Sequence, residues 1–287
     1  MKNTHENITV QIVLYEENFE LIKKCLINLE GIKTVIIDNG NNLELKRKIL
    51  NRFKIEEYIL SKKNLGFSRG HNLASKYVKT KYILILNADC FINKESIEKL
   101  IKTIELYDNC GLVAPTTYDK NNNLTYCSGI FPEKGFKGDP LILEGDTCVK
   151  TVLGSSMLIK KNLFQEIKGF DENFFLFFSD DELCKRIYSK KFSIIQSFSS
   201  TAIHIHGITK VKNIFKKIYL REFHYTFDEM FYYHKLNTNN IILQKYRSKK
   251  INYLIKSIKN LIIFRFKKFI FYYARFLAIL KFNRLIK

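Results

Sequence analysis

Acidic side chains run out before this chain does. After Glu229 there is no Asp or Glu in a sequence that continues to Lys287. Residues 210–287 hold 19 Lys or Arg against Glu222, Asp228 and Glu229, which accounts for +16 of the formal net +20. The first 209 residues carry 29 basic and 25 acidic side chains, so a near-neutral body precedes a cationic tail. Cysteine is present but unorganised. Cys25, Cys90, Cys110, Cys127, Cys148 and Cys184 form no C-x-x-C and have no His at ligand spacing. That argues against a zinc site and a small disulfide scaffold, and for reduced thiols in a cytosolic protein. No uncharged apolar run reaches ~18 residues, so no membrane-spanning helix is expected. Met1 to Glu6 is polar and precedes only a short apolar run, unlike a secretory signal peptide. There is no internal repeat. Neither G-x-G-x-x-G nor G-x-x-x-x-G-K stands at the first turn, which argues against a dehydrogenase or an ATPase.

What is present is a chain of 287 residues with ordinary hydrophobic (46%) and charged (26%) fractions, long enough for a large domain plus an appendage. Ile8–Tyr15, Thr34–Ile37, Glu57–Leu60, Tyr82–Leu86 and Gly111–Pro115 read as strands. Between them, Asn18–Leu29, Leu43–Phe53, a segment capped by Ser68 and ending near Val78, and Asn93–Leu106 read as helices. Alternation at this spacing predicts βαβ units and a mostly parallel, Rossmann-like sheet flanked by helices. Thr116–Thr147 reads as loops and short strands. Val149–Ile159 reads as a strand interrupted at Gly154-Ser155-Ser156, followed by a helix over Lys161–Ile167. Asp180–Ser189 is a further helix, and Phe192–Phe198 and Thr201–Ile205 are two strands. From Val211 the chain reads as helical to its end, broken near Asn237–Asn240.

The polar clusters fall just beyond strands, where open α/β sheets build their sites. Asp38 follows the second strand and suits either a ribose or base edge, or an Asx-turn with Asn39-Gly40. In Asn64–Asn72, Gly66 and Gly70 allow close backbone approach to a ligand, and Arg69 can pair with phosphate. Asp89 ends the most apolar strand, where it either shapes the turn or faces a substrate or hard cation. His204, some 115 residues further on, is predicted at the same edge, as a core histidine or as a partner of Asp89 on Mg²⁺ or Mn²⁺. Asp180-Asp181-Glu182 opens a helix, which favours carboxylates there. It also follows an aromatic run, where a carboxylate with a raised pKa can act as a general base.

Asp38-Asn39-Gly40, Asn64 through Asn72, Leu86-Asn87-Ala88-Asp89, Gly154-Ser155-Ser156-Met157, Gly169-Phe170-Asp171-Glu172 and Ser179-Asp180 with Leu183-Cys184 form an ordered set. Over roughly residues 8–210 that set resembles the family 2 glycosyltransferases, in particular rhamnosyl- and galactofuranosyl-transferases of bacterial surface polysaccharides. The resemblance implies a GT-A fold over 1–210, with a nucleotide-sugar-binding half (1–115) and an acceptor and catalytic half (116–210). It implies an inverting, metal-dependent enzyme that moves a sugar from a UDP- or dTDP-sugar to a glycan or polyprenyl-linked acceptor in lipopolysaccharide or capsule assembly. Nucleotide-sugar contacts would come from Tyr15, Asp38, Asn39, Asn64, Gly66, Arg69, Asn72, Asn87, Ala88, Gly154 and Ser155. Asp89 and His204 would hold Mg²⁺ or Mn²⁺, with His206 as the fallback. Asp180 would be the base and Asp181 its competitor, because Ser179-Asp180-Asp181 stands where the family usually has Glu-Asp and then a non-acidic residue. Asn87 occupies the first position of the family's D-x-D-like motif.

Two rival classes make different demands. A sugar-1-phosphate nucleotidyltransferase needs a Gly-rich basic loop after the first strand, where Tyr15-Glu16-Glu17-Asn18 stands instead. A non-catalytic nucleic-acid-binding protein would use the basic tail alone, and no nucleic acid is expected. In residues 251–280, apolar positions at helical spacing flanked by Lys and Arg predict one amphipathic helix within the basic 211–287 region. Such a helix suits an anionic membrane surface, placing the protein in the cytoplasm on the inner face of the membrane, or it packs on the body with its charges solvated.

Overall fold

The computed structural model describes residues 4–131, 139–140, 142–205, 213–237 and 240–286. After a short 3-10 turn at Thr4–Asn7 come β1 (Ile8–Leu14), α1 (Phe19–Ile27), β2 (Lys33–Asp38), α2 (Leu43–Leu50), β3 (Glu57–Leu60) and α3 (Gly66–Ser75). Next are β4 (Tyr82–Leu86), β5 (Cys90–Phe91), α4 (Lys94–Leu106), β6 (Cys110–Tyr118), β7 (Ser128–Gly129), β8 (Thr147–Val149), β9 (Thr151–Val152) and β10 (Ser156–Lys160). The chain continues through α5 (Lys161–Glu166), α6 (Ser179–Ser189), β11 (Ser193–His204), α7 (Ile214–Lys235), α8 (Asn240–Ile262) and α9 (Phe266–Leu285).

Among the described residues nine strands form one sheet in the order β3-β2-β1-β4-β10-β6-β11-β5, with β8 also paired to β11. Strands β1 to β4, β6 and β11 run one way, while β5, β8 and β10 run against them, so the sheet is mostly parallel. The alternation of β4 explains its unbroken apolar run. Tyr82, Leu84 and Leu86 join the core under α1, α2 and α4, whereas Ile83 and Ile85 join the core under α5 and α6. A strand covered on both faces needs no polar residue until it leaves the sheet. Asn18, Asn42 and Asn93 each sit in extended backbone and accept the N–H of Leu21, Leu45 and Ser96, which starts α1, α2 and α4.

The structure departs from the sequence reading at three places. Helix α3 begins at Gly66, not at a Ser68 cap: Gly66 takes φ +75°, Asn64 Oδ1 accepts its N–H, and Ser68 is buried inside the helix. Gly70 has a packing reason as well, because a Cβ there would lie 2.8 Å from Val13 Cγ1. The two strands expected over 192–205 are one, β11, whose pairing with β6 slips between Ser197 and Thr201. A bulge absorbs the Ser-rich stretch that looked like a break. The amphipathic helix expected over 251–280 is two helices, because the chain turns at residues 263–265 between α8 and α9.

Contacts divide the chain into one unit of residues 1–172 with 180–210, and a second of 173–179 with 211–287. The second unit has its own core, in which Phe174 and Phe178 pack with Phe223, Phe227 and Tyr232 of α7 and with Ala278 and Phe282 of α9. Asp228 of α7 fixes the aromatic segment, accepting the N–H groups of Phe175 (3.3 Å), Leu176 (3.0 Å) and Phe177 (3.0 Å). Asp228→Ala leaves three partly buried N–H groups without that acceptor, so a loss of about 1–3 kcal/mol is expected in denaturant unfolding. Burial outweighs those bonds and pushes the Asp228 carboxyl up to about 7. The folded state therefore binds the extra proton, and this group's contribution to stability falls as pH rises from about 4 to about 7. Asp228→Asn, which does not titrate, should lose less stability than the parent between pH 5 and pH 7.

Candidate active site

The parallel strands release their chain at one sheet edge, and there the structure assembles most of the predicted residues. β5 pairs antiparallel with the end of β11, setting His204 opposite Cys90. The N–H of Ile205 donates to the Asp89 carbonyl at 2.9 Å. This two-residue strand brings the Asp89 carboxylate within 3.4 Å of His204 Nε2, oxygen to nitrogen, although the residues are far apart in the chain. His204 is buried and Asp89 half-buried. On the other side of β4, the N–H of Asn87 donates to the Ser155 carbonyl at 2.9 Å. Because β10 runs against β4, its entry turn Gly154-Ser155 stands at the same edge.

The three consecutive carboxylates at the start of α6 do three different things. Asp180 Oδ2 accepts the N–H of Gly154 at 2.8 Å, and the side chain stays partly open to solvent. Asp181 is 1% exposed and accepts the Thr151 hydroxyl at 2.7 Å. Glu182, also buried, forms an ion pair with Arg186 one turn on, at 2.8 Å. Gly154 fits its turn because a Cβ would lie 2.8 Å from the Phe67 ring. The three carboxylates look alike in sequence, and burial together with their different partners separates them.

Asp38 realises the Asx-turn that was one of its two readings. Its oxygens accept the N–H groups of Gly40 (2.8 Å) and Asn42 (3.2 Å) and the Tyr58 hydroxyl (3.0 Å). Burial, and after it the Asp38 charge, push the Tyr58 phenol up. Asn39 bridges to the next βα turn, donating to the Gly66 carbonyl at 3.1 Å and accepting the Leu65 N–H at 3.2 Å. Asp38, Asn39, Asn64 and Gly66 thus form one bonded pair of turns beside β1. Arg69 and Asn72 bond elsewhere. Arg69 Nε donates to the Glu172 carbonyl at 3.2 Å, and the Asn72 amide holds both the N–H and the carbonyl of Phe170, each at 2.9 Å. The Asn72 amide thus holds the Gly169-Phe170 turn. Gly169 has φ +66°, and a Cβ there would lie 2.4 Å from Asn72 Oδ1. His206 lies outside the described residues.

One group was overlooked. The turn after β1 was read for Tyr15 and for the Gly-rich loop it lacks, yet it also carries Glu17, whose carboxylate accepts the N–H of Tyr15. Burial pushes the Glu17 carboxyl up to about 7, and the charges of Asp89 and Asp38 add to the shift. The signal was available, since Glu17 is a carboxylate just past a strand end, as Asp38 and Asp89 are. Ala88 is buried, and Tyr15 lies half-buried on the same turn as Glu17.

A divalent cation suits the chemistry of this donor set. A carboxylate oxygen and an imidazole nitrogen 3.4 Å apart stand about 0.4 Å wider than the edge of an octahedron with ~2.1 Å bonds, so a small closing of the pair brings both onto one cation. Among the described residues no three His, Cys, Asp or Glu side chains converge as a metal cage. That pattern fits a cation whose remaining positions go to water and phosphate.

A mostly parallel sheet of this order, flanked by helices, has the fold of the GT-A glycosyltransferases. The chain belongs to glycosyl transferase family 2, whose model matches residues 9–167, and it is a glycosyltransferase. It is 29% identical over 220 residues to the low-salt glycan biosynthesis hexosyltransferase Agl10 of Haloferax volcanii, covering 72% of this chain and 70% of that protein. Against the rhamnosyltransferase WbbL of Escherichia coli K12 the identity is 29% over 205 residues, 61% of this chain and 75% of that one. The dTDP-rhamnosyl transferase RfbF of Shigella flexneri is 24% identical over 189 residues, 63% of each chain. Among solved structures, the mannosyltransferase PcManGT of Pyrobaculum calidifontis, in complex with GDP-Man and Mn²⁺, matches with a TM-score of 0.58 at 12% identity, over 98% of this chain and 88% of that one. GalNAc-T7 with UDP, GalNAc and Mn²⁺ matches with a TM-score of 0.59 at 13% identity, over 78% of this chain, which spans half of that protein's length.

Proposed function

We propose that this chain moves a hexose or deoxyhexose from a UDP- or dTDP-sugar to a hydroxyl of a glycan acceptor, with inversion, during assembly of a cell-surface polysaccharide. The observation that carries the reading is the bonded series from Asp180 through Gly154-Ser155 to Asn87-Asp89 and on to His204. It sets a partly open carboxylate beside the turn that leads to the candidate metal pair. Residues 1–115 would hold the nucleotide, with the turns of Asp38 and Asn64 shaping its pocket. Asp180 takes the proton of the acceptor hydroxyl as its oxygen bonds to the anomeric carbon and the bond to the diphosphate breaks. A single displacement inverts that carbon. Asp89 and His204 would hold Mn²⁺ or Mg²⁺, which would supply positive charge toward the departing diphosphate. Relatives described as dTDP-rhamnosyl and hexosyl transferases, and neighbours solved with Mn²⁺, support this choice of donor and cation. The acceptor would be carried on a polyprenyl lipid, and the basic C-terminal helices would keep the enzyme at the cytoplasmic face of the membrane that displays it.

The test is a donor screen that reads released nucleoside diphosphate with lipid-linked acceptors, preceded by thermal shift. A UDP- or dTDP-sugar at 100 times its Kd, with Mn²⁺ present, should stabilise the fold by about 2.7 kcal/mol. If no nucleotide sugar raises Tm with the metal present, the proposal fails.

A further inference from the structure

The second unit presents an apolar surface that its own core does not use. Helix α8 buries Ile242, Leu243, Tyr246, Tyr253 and Asn260, and leaves Ile251, Ile255, Ile258 and Ile262 exposed at i, i+4, i+7 and i+11, along one line. Ile255, Ile258, Ile262 and Ile263, with Lys259, line an apolar groove of about 350 Å³. The line continues into the turn before α9, where Ile262 is 68% and Phe264 78% exposed.

Phe264 takes φ +53°, the left-handed conformation at a helix C-terminus that glycine normally fills. Its N–H donates to the Leu261 carbonyl, and that of Arg265 to the Asn260 carbonyl. A large aromatic side chain held in a disfavoured backbone state and facing water costs stability twice, so its presence asks for a partner. Around it Lys256, Lys259, Arg265, Lys267 and Lys268 are all exposed, and no acidic residue lies anywhere in α8 or α9.

We infer that the α8–α9 turn is a membrane-insertion tip, seating Ile262, Ile263 and Phe264 among the acyl chains of an anionic bilayer while the surrounding Lys and Arg meet its phosphate headgroups. The inference rests on the membrane placement proposed above and gives it a physical element. Among the described residues no helix is long and apolar enough to cross a membrane, and the tip would lie in the interface. Charge complementarity selects this occupant. A second copy of the same face would bring basic residues against basic residues with no carboxylate to offset them. Nucleic acid would meet the cations but would gain little from a line of isoleucines, since bases stack on aromatic rings.

The experiment is co-sedimentation of the full chain with vesicles of phosphatidylglycerol and phosphatidylcholine, without donor or acceptor, so that its outcome is independent of sugar transfer. The parent is expected to bind anionic vesicles, less so at high salt, and to bind pure phosphatidylcholine weakly. Phe264→Asp with Ile262→Asp should lower the partition coefficient at least tenfold. Lys267→Gln with Lys268→Gln should lower it roughly tenfold or more and flatten its salt dependence. All four positions are exposed, and unchanged far-UV circular dichroism and an unchanged Tm check that the variants fold. Absence of vesicle binding by the parent, or binding that the Asp pair leaves intact, overturns the inference. So does a parent dimer in sedimentation that the Asp pair dissociates, which would make the face an interface between copies, and so does tight binding to single-stranded nucleic acid that the Asp pair leaves unchanged.

Discussion

Asp180→Asn should lower turnover by about 10²- to 10⁴-fold while leaving nucleotide-sugar affinity close to that of the parent. That range is what a positioned general base contributes when the attacking oxygen must lose its proton in the transition state. The variant keeps its fold, because an amide oxygen can still accept the N–H of Gly154 that the carboxylate holds. KM for the donor should barely move, since the loss lies in an interaction made only as the proton transfers. Asp181→Asn is the control. Asp181 is buried and receives the Thr151 hydroxyl, so its replacement should show in Tm and not in turnover. Single-turnover release of nucleoside diphosphate, measured beside donor binding, separates the two. Equal collapse of turnover in both variants would remove Asp180 from its assigned role.

Asp89→Ala should abolish the additional thermal stabilisation that Mn²⁺ gives in the presence of the nucleotide sugar, and should cut turnover by more than 10²-fold. A metal that neutralises a leaving diphosphate supplies several kcal/mol at the transition state, and each 1.36 kcal/mol is a factor of ten. The backbone at this position is set independently of the side chain, because the Asp89 carbonyl accepts the Ile205 N–H. β5 and β11 should therefore stay paired in the variant, and Tm without metal should be close to that of the parent. His204→Ala should act in the same direction with a smaller effect, since a water can take the imidazole's place on the cation. Retention of the full Mn²⁺-dependent shift in Asp89→Ala would place the cation elsewhere.

Much of the fold was legible because local rules and burial agree. Tyr82–Leu86 and Glu57–Leu60 form strands with the expected bounds, and Asn18 and Asn93 cap helices where the periodicity begins. The misreadings arise where tertiary contacts override local signals. Ser68 is a good cap in isolation, but Asn39 and Asn64 bind the backbone two or three residues earlier and start the helix there. The Ser-rich stretch near Phe198 reads as a break, yet Asp146 accepts the Phe198 N–H at 2.8 Å and the strand resumes beyond the bulge. At the site, strand-end position indicated Asp38 and Asp89. It did not indicate that Asp38 accepts two N–H groups of its own turn and the Tyr58 hydroxyl, nor that Glu17 stands nearby. Distinguishing Asp180 from Asp181 required knowing which one faces the core. No local pattern reports that.

The two-residue strand β5 has a consequence in time. Because it closes on β11, the Asp89–His204 pair exists only after the chain has been made past residue 204 and its last sheet strand has docked. A nascent chain emerging from the ribosome can pair β1 to β4 early, through neighbouring βαβ contacts. His204 arrives last and from far away, and long-range closure of this kind is the slow step in folding. The proposed cation pair is therefore completed at the end of assembly, and an unfinished chain carries the turns after β2 and β3 without it.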